Sequence, residues 1–161
     1  MILIGLGANM PSRVGTPIET LRAALQLMPE HGIQVKRVSP FYKTAPVPVS
    51  DQPDFINAVA EIKTHLDPAK VMQKLLEIEQ AFGRQRTMKN DPRTLDLDLL
   101  DYAGQRLKTE FLELPHPRMV KRAFILHPLR DIAPTWKHPV SRETIRALIA
   151  KLPPQEIQKI L

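Results

Sequence analysis

Between Thr94 and Leu100 the chain alternates: Leu95, Leu97 and Leu99 are apolar, while Asp96 and Asp98 are acidic. An extended strand sorts such a pattern, because neighbours along it point to opposite faces. The leucines then enter a core and the two carboxylates share the other face. They stand roughly 6.6 Å apart along the strand, close enough to converge on one divalent ion or on a pair about 3.5–4 Å apart. Hard oxygen ligands of this kind suit Mg²⁺, which takes one or two protein carboxylates and fills its other positions with water and phosphate. Arg93, at the entrance to the strand, is suited to pair with phosphate. From the spacing alone, an edge strand with a solvated acidic face fits equally well.

The remaining composition narrows the partners. At 161 residues, one domain spanning 1–161 is expected, since a domain near that length buries about 70% of its unfolded surface. The chain has no cysteine, which excludes disulfides and thiolate metal sites. The opening Met1-Ile2-Leu3-Ile4 lacks the basic start and the length of a signal peptide, and no apolar run approaches about 18 residues. A soluble cytoplasmic protein, without a membrane or an obligatory protein partner, is the expectation. A net charge of +6 and a pI near 9.8 favour an anionic partner, either nucleic acid or a phosphorylated small molecule. Aromatic residues make up 5% of the chain, few for a platform that stacks single-stranded bases.

In chain order, residues 2–6 predict a short buried strand running into Gly5-Leu6-Gly7-Ala8-Asn9, whose glycines allow a tight exit, and a turn follows. Pro17 suits a first helical position, with Ile18, Leu21, Leu25 and Met28 at helical spacing. Residues 33–43 read as one strand. Residues 44–53 hold Pro46, Pro48 and Pro53 and read as a binding loop or lid. The next strand, 55–63, sets Ile56, Ala58, Ala60 and Ile62 against Phe55, Asn57, Val59 and Glu61. Phe55 and Asn57 thus project together; a ring beside a carboxamide can stack a flat heterocycle and read its edge, although a core Phe and a strand-end Asn fit as well. Asp67-Pro68 opens a helix with Val71, Leu75, Ile78 and Phe82 inward and Gly83 just past its end. Glu79 lies beside that stripe, at a cleft edge or simply in solvent. Residues 84–93 form a second long loop with four cations, Arg84, Arg86, Lys89 and Arg93, and it feeds directly into the acidic strand. A cationic loop next to a Mg²⁺ site is what phosphoryl transfer requires.

Beyond that strand, Pro115-His116-Pro117-Arg118-Met119 precedes Lys121-Arg122-Ala123-Phe124, where a strand would put Arg122 and Phe124 on one face. Taken singly, His116 reads as structural and Phe124 as core. Residues 128–134 read as loop or a short helical turn. Ser141 is expected to cap a last helix with Ile145, Leu148 and Ile149 inward, and 155–161 carry no assignable element.

Together, Gly5-Leu6-Gly7-Ala8-Asn9, Gln52-Pro53-Asp54-Phe55-Ile56-Asn57-Ala58, Glu77-Ile78-Glu79 with Gly83-Arg84, Pro92-Arg93-Thr94-Leu95-Asp96-Leu97-Asp98 and Pro115-His116-Pro117-Arg118-Met119 with Arg122-Ala123-Phe124 closely resemble the 6-hydroxymethyl-7,8-dihydropterin pyrophosphokinase family. The resemblance runs in order and in spacing from Gly5 to about Pro134. It implies an α+β, ferredoxin-like sandwich, an antiparallel sheet covered by helices with three mobile loops over the active site. It further implies that ATP donates pyrophosphate to the pterin hydroxymethyl group on the route to folate, without a covalent enzyme intermediate.

Carried over by position, Asp96 and Asp98 would hold two Mg²⁺ ions, and with Arg84 and Arg93 would form the catalytic set. Phe55 and Phe124 would sandwich the pterin, with Asp96 beside it, while Asn57 and the backbone near Thr44, Pro46 and Val47 read its edge. Glu79, Arg84, Arg86, Arg93, His116 and Arg122 would serve ATP, the guanidinium groups giving bidentate phosphate geometry. Two features depart from the pattern: Asn90-Asp91 stands where some bacterial members carry a tryptophan, and the second loop reads Val47-Pro48-Val49. Two other readings stay open on residue types alone. One is a basic ferredoxin-like RNA-binding module, which lacks the aromatic signature of such domains; the other is a different metal-dependent nucleotidyl transferase acting on a substrate other than a pterin.

Overall fold

The computed structural model describes residues 1–46, 50–83 and 94–160. Its centre is an antiparallel sheet built from β1 (Ile2–Ala8), β2 (Ile33–Val38), β3 (Tyr42–Thr44), β4 (Phe55–Thr64), β5 (Asp96–Tyr102) and β8 (Ile157–Lys159). The strand order is β5-β1-β4-β3-β8, and β2 pairs with β4 alongside β3. A separate hairpin pairs β6 (Leu107–Lys108) with β7 (Glu113–Leu114). The helices are α1 (Pro17–Leu27), α2 (Pro68–Ala81), α3 (Ala123–Ile132) and α4 (Ile145–Ala150). An antiparallel sheet with helices packed on it is the expected α+β, ferredoxin-like architecture. Among the described residues, no helix is long and apolar enough to cross a membrane.

The period-two pattern of the strands and the helical stripes meet in two cores, one on each face of the sheet. The first joins Ile4, Leu6 and Ala8 of β1, Ala58, Ala60 and Ile62 of β4, and Leu97 and Leu99 of β5 to Leu21 and Ala24 of α1 and Val71, Leu75 and Ile78 of α2. The second joins Leu3, Val59 and Leu100 to Ile125, Leu126, Leu129 and Ile132 of α3, Trp136, and Ile145 and Leu148 of α4. Each fully buried leucine or isoleucine contributes roughly 1.5–3 kcal/mol relative to exposure, so both helix layers are held chiefly by apolar burial. Both early helices start where their capping residues stand. Thr16 and Glu19 form a reciprocal capping box before Pro17, and the Asp67 carboxylate accepts from Lys70 N–H at 2.9 Å, satisfying donors that a helix start leaves open.

Several sequence expectations are corrected. β1 extends past the expected 2–6 through Gly7 to Ala8, paired with β4 along its length and with β5 as far as Gly7. The strand predicted over 33–43 is two strands. Pro40 has no N–H to give a ladder, and at the break Ser39 N–H donates to Val59 O while the Ser39 hydroxyl accepts from Val59 N–H. Residues 123–132 are one continuous helix, in place of the conditional strand near 121–126 and the loop or short helical turn over 128–134; Ile125, Leu126, Leu129 and Ile132 recur at helical spacing and all face the second core. Arg122 and Phe124 therefore sit at the N-cap and in the first turn of α3. The last helix is capped by Thr144, whose hydroxyl accepts from Ala147 N–H at 3.1 Å, whereas Ser141 accepts from Glu143 N–H in the turn before it. The unassigned tail supplies β8.

Candidate active site

Residues directly opposite one another in an antiparallel pair share a face, and the sheet register lines up one row across five strands. Asp96 lies opposite Gly7, Gly7 opposite Asn57, Asn57 opposite Tyr42, and Tyr42 opposite Lys159. In the next row Asp98 lies opposite Gly5, and Gly5 opposite Val59. The acidic pair on β5 and the candidate pterin-reading carboxamide on β4 therefore belong to the same face of the sheet, with β1 between them. The two residues between them are glycines, which leave that face low.

Gly7 has a specific steric role. A β-carbon there would come within 2.7 Å of Asn57 Oδ1, so any other residue would displace the carboxamide. The other end of that amide is anchored as Asn57 Nδ2 donates to Thr44 Oγ1 at 2.8 Å, with Thr44 and Asn57 both buried. That hydrogen bond holds the amide plane against β3. Phe55, one row further, lies opposite Thr44 and is partly exposed, and Pro46 is buried just beyond β3.

β5 is the edge strand, as the acidic pattern allows, and its open side is managed by a carboxylate. Glu79 is only 1% exposed, and its Oε2 accepts from Leu97 N–H at 2.7 Å. The surface alternative for Glu79 is excluded: it reaches from α2 to the backbone between the two aspartates and removes the cost of an unmet edge donor.

His116 is held from two sides. Its N–H donates to Leu100 O at 2.8 Å, and its ring Nδ1 accepts from Arg118 N–H at 3.2 Å. With Nδ1 accepting, the neutral ring carries its proton on Nε2. Burial, helped by the Arg122 and Arg118 charges and opposed by Asp96, pushes this imidazole down to about 4; it is a neutral N–H donor near neutral pH. Arg122 places its guanidinium carbon 5.5 Å from the centre of the Phe124 ring, so the two residues pack together at the start of α3, both partly exposed.

The structure therefore gathers Asp96, Asp98, Asn57, Thr44 and Phe55 on one sheet face, with His116, Arg122 and Phe124 in the segment leading into α3. Val47, Arg84, Arg86 and Arg93 lie outside the described residues. Among the described residues no group of three or more metal-ligating side chains exists. The donor set is the Asp96 and Asp98 carboxylate pair, a fit for Mg²⁺, which completes its octahedron with water and substrate phosphate. Sequence reasoning gave no role to Asn9, which is buried at the exit of β1. Its Nδ2 donates to Gln52 Oε1 at 3.0 Å and to Pro53 O at 3.2 Å, tying the glycine strand to the segment that enters β4. The glycines spaced two apart before a single Asn were the available signal.

Fold and site together define a ferredoxin-like α+β protein with a carboxylate pair and a buried carboxamide on the same sheet face. Residues 3–134 match the model of the 7,8-dihydro-6-hydroxymethylpterin-pyrophosphokinase (HPPK) family. The chain belongs to that family. It is 37% identical over 162 residues to the 2-amino-4-hydroxy-6-hydroxymethyldihydropteridine pyrophosphokinase of Pseudomonas aeruginosa, covering 99% of this chain and 96% of that protein. With the Synechocystis protein of the same name the identity is 41% over 151 residues, covering 93% of this chain and 75% of the relative. A solved structure of Plasmodium falciparum HPPK-DHPS superimposes with a TM-score of 0.73 at 18% identity. That match covers 93% of this chain and 42% of the other, and the likeness is one of fold.

Proposed function

We propose that this chain transfers pyrophosphate from ATP to the hydroxymethyl group of 6-hydroxymethyl-7,8-dihydropterin, giving AMP and the pterin diphosphate, within one pyrophosphokinase domain over 1–161. The observation that carries the proposal is the cross-strand row Asp96–Gly7–Asn57, in a chain whose relatives bear the pyrophosphokinase name over nearly its whole length. The row sets an acidic pair suited to a nucleotide's metal next to an amide suited to a pterin edge.

In this reading Asn57, its amide oriented by Thr44, reads the pterin with the backbone of Thr44, Pro46 and Val47, and Phe55 and Phe124 stack on its two faces. Asp96 and Asp98 would hold two Mg²⁺ ions, which would supply charge neutralisation on the phosphates and lower the cost of deprotonating the hydroxymethyl group. Asp96 also lies beside the pterin. Glu79 keeps β5 in place between the two aspartates and, with His116 and Arg122, belongs to the ATP side. His116 offers a phosphate or ribose oxygen a neutral Nε2–H. Arg84, Arg86 and Arg93 neutralise the charge that develops as the bond between the β-phosphorus and the bridging oxygen breaks. The hydroxymethyl oxygen forms its new bond in line with the one that breaks; its proton passes to water and the bridging oxygen leaves as AMP.

AMP release from ATP, with and without the pterin and with Mg²⁺ present or chelated, tests the reaction. AMP that appears only when pterin and Mg²⁺ are both present is the expected result. AMP without pterin would point to another nucleotidyl transferase and reject the substrate assignment.

A further inference from the structure

The same cross-strand row continues past Asn57 into a part of the molecule to which the proposed reaction assigns nothing. Tyr42, 4% exposed, donates its hydroxyl to Asp131 Oδ2. Lys159 reaches the other carboxylate oxygen at 3.3 Å, and its ammonium lies 5.7 Å from the centre of the Tyr42 ring. Three elements that are distant in sequence meet here: β3, the last turn of α3, and β8. Ile160 N–H adds a backbone bond to Phe41 O at 2.9 Å.

We propose that Tyr42, held by Asp131 and Lys159, is a positioning residue for the pterin, and that strand β8 is thereby part of the support of the substrate site. The inference rests on the reading given under Proposed function. β3 has three residues and pairs with β4 over three positions only, yet it carries Thr44, the residue that orients the Asn57 amide. So short a strand is weakly held by its own ladder. Tyr42 stands next to Asn57 in the register and two residues from Thr44, so a bond at its hydroxyl restrains the strand at the point where the pterin is read. The helix on the other end of that bond carries Phe124 in its first turn. One hydrogen bond thus ties together the elements that present both proposed sides of the pterin pocket.

The placement of Asp131 supports a dedicated role. A carboxylate in the last turn of a helix faces the negative end of the helix dipole and is unfavourable there. What offsets it is the Tyr42 hydroxyl and the Lys159 ammonium. Burial and the Asp131 carboxylate raise the Tyr42 phenol far above its ordinary range, so it remains a protonated donor wherever the protein is folded. A support shell of this kind governs affinity by holding contact residues within fractions of an ångström.

The test uses equilibrium binding of 6-hydroxymethyl-7,8-dihydropterin by its fluorescence, together with KM for pterin and for ATP from AMP release. Tyr42→Phe keeps the ring and removes the donor; Asp131→Ala removes the acceptor without touching the strand. Each should raise pterin Kd and KM roughly tenfold, the equivalent of one hydrogen bond, with ATP KM moved by less than about twofold. The double variant should be no worse than either single one. Asp131→Asn, which keeps an acceptor oxygen, should stay within about threefold of the parent. Pterin Kd unchanged in both single variants, equal losses for pterin and ATP, or additive losses in the double variant would overturn the inference. If the parent protein bound ATP but no pterin, the substrate reading and this inference would fall together; if the parent bound pterin and the variants matched it, only the inference would fall.

Discussion

The two faces of the sheet are made by alternate residues of the same strands, and they are chemically opposite. On the face under α1 and α2, β1, β4 and β5 contribute Ile4, Leu6, Ala8, Ile56, Ala58, Ala60, Ile62, Leu97 and Leu99, with Tyr102 at the margin, where its hydroxyl donates to Leu66 O. On the other face the same strands, with β3, present Asp96, Asp98, Asn57, Thr44, Glu61 and Asp101, interrupted by Gly5 and Gly7. Only Leu3, Val59 and Leu100 there join an apolar core, with α3 and α4. The polar groups on that face are met individually: Arg37 donates twice to Glu61, Trp136 Nε1 donates to Asp101 at 2.8 Å, and Asn57 donates to Thr44. The contrast teaches a division of labour. One face is buried continuously, whereas the other is buried only where α3 and α4 cover it and keeps the rest for a site.

If the division holds, substitutions on the two faces should separate activity from stability. The largest effect is expected from Asp96→Ala and Asp98→Ala. Each should lower turnover at least about a thousandfold, roughly 4 kcal/mol of barrier, while the thermal midpoint stays within a few degrees of the parent. Calorimetry alongside AMP release checks this, and near-normal turnover in both variants would break the comparison outright. Leu75→Ala, on the helix packed against the opposite face, should do the reverse. It should lose about 3 kcal/mol of stability by cavity formation, read from urea unfolding, with activity per folded molecule kept at low temperature.

Gly7→Ala sharpens the contrast within a single strand. Its new methyl meets the Asn57 oxygen, so pterin KM should rise roughly tenfold through displacement of one hydrogen bond, with ATP KM nearly unchanged. The smallest expected effect is pH-dependent. His116 has a folded pKa lowered from 6.5 to about 4, so between those values the unfolded chain binds more protons and stability falls as pH falls. Replacing it by Gln should remove that part of the acid sensitivity, on the order of 1 kcal/mol at pH 5 after allowance for partial exposure. Urea midpoints of parent and variant at pH 7 and pH 5 measure it, and parallel acid curves would reject the assigned neutral imidazole.

Much of this division was legible before any fold was known, because alternation and helical spacing are properties of neighbours in the chain. The strand 55–63, the caps at Pro17 and Asp67, and the acidic and apolar sides of β5 follow from such local rules. The motif resemblance located the candidate site by the same local means. The misreadings share a cause. Residues 121–126 look like a strand when taken alone, and the helix over 123–132 appears once Ile125 to Ile132 have a core to face. Pro40 splits what the composition of 33–43 presents as one strand, and Ser39 repairs the ladder across the break.

Residue types and their spacing by themselves determined that this chain makes strands and helices with one acidic strand, and which side chains carry charge, rings and amides. Tertiary structure decided which of these face one another. Gly7 falls between Asp96 and Asn57 only through the register of three strands that are far apart in the chain. Glu79 is buried because α2 lies against the open edge of β5, and Tyr42 meets Asp131 across 89 residues of sequence. Local preferences act over a few bonds of backbone. Register and long-range pairing are set when whole faces are buried at once, and no short stretch of sequence contains that information.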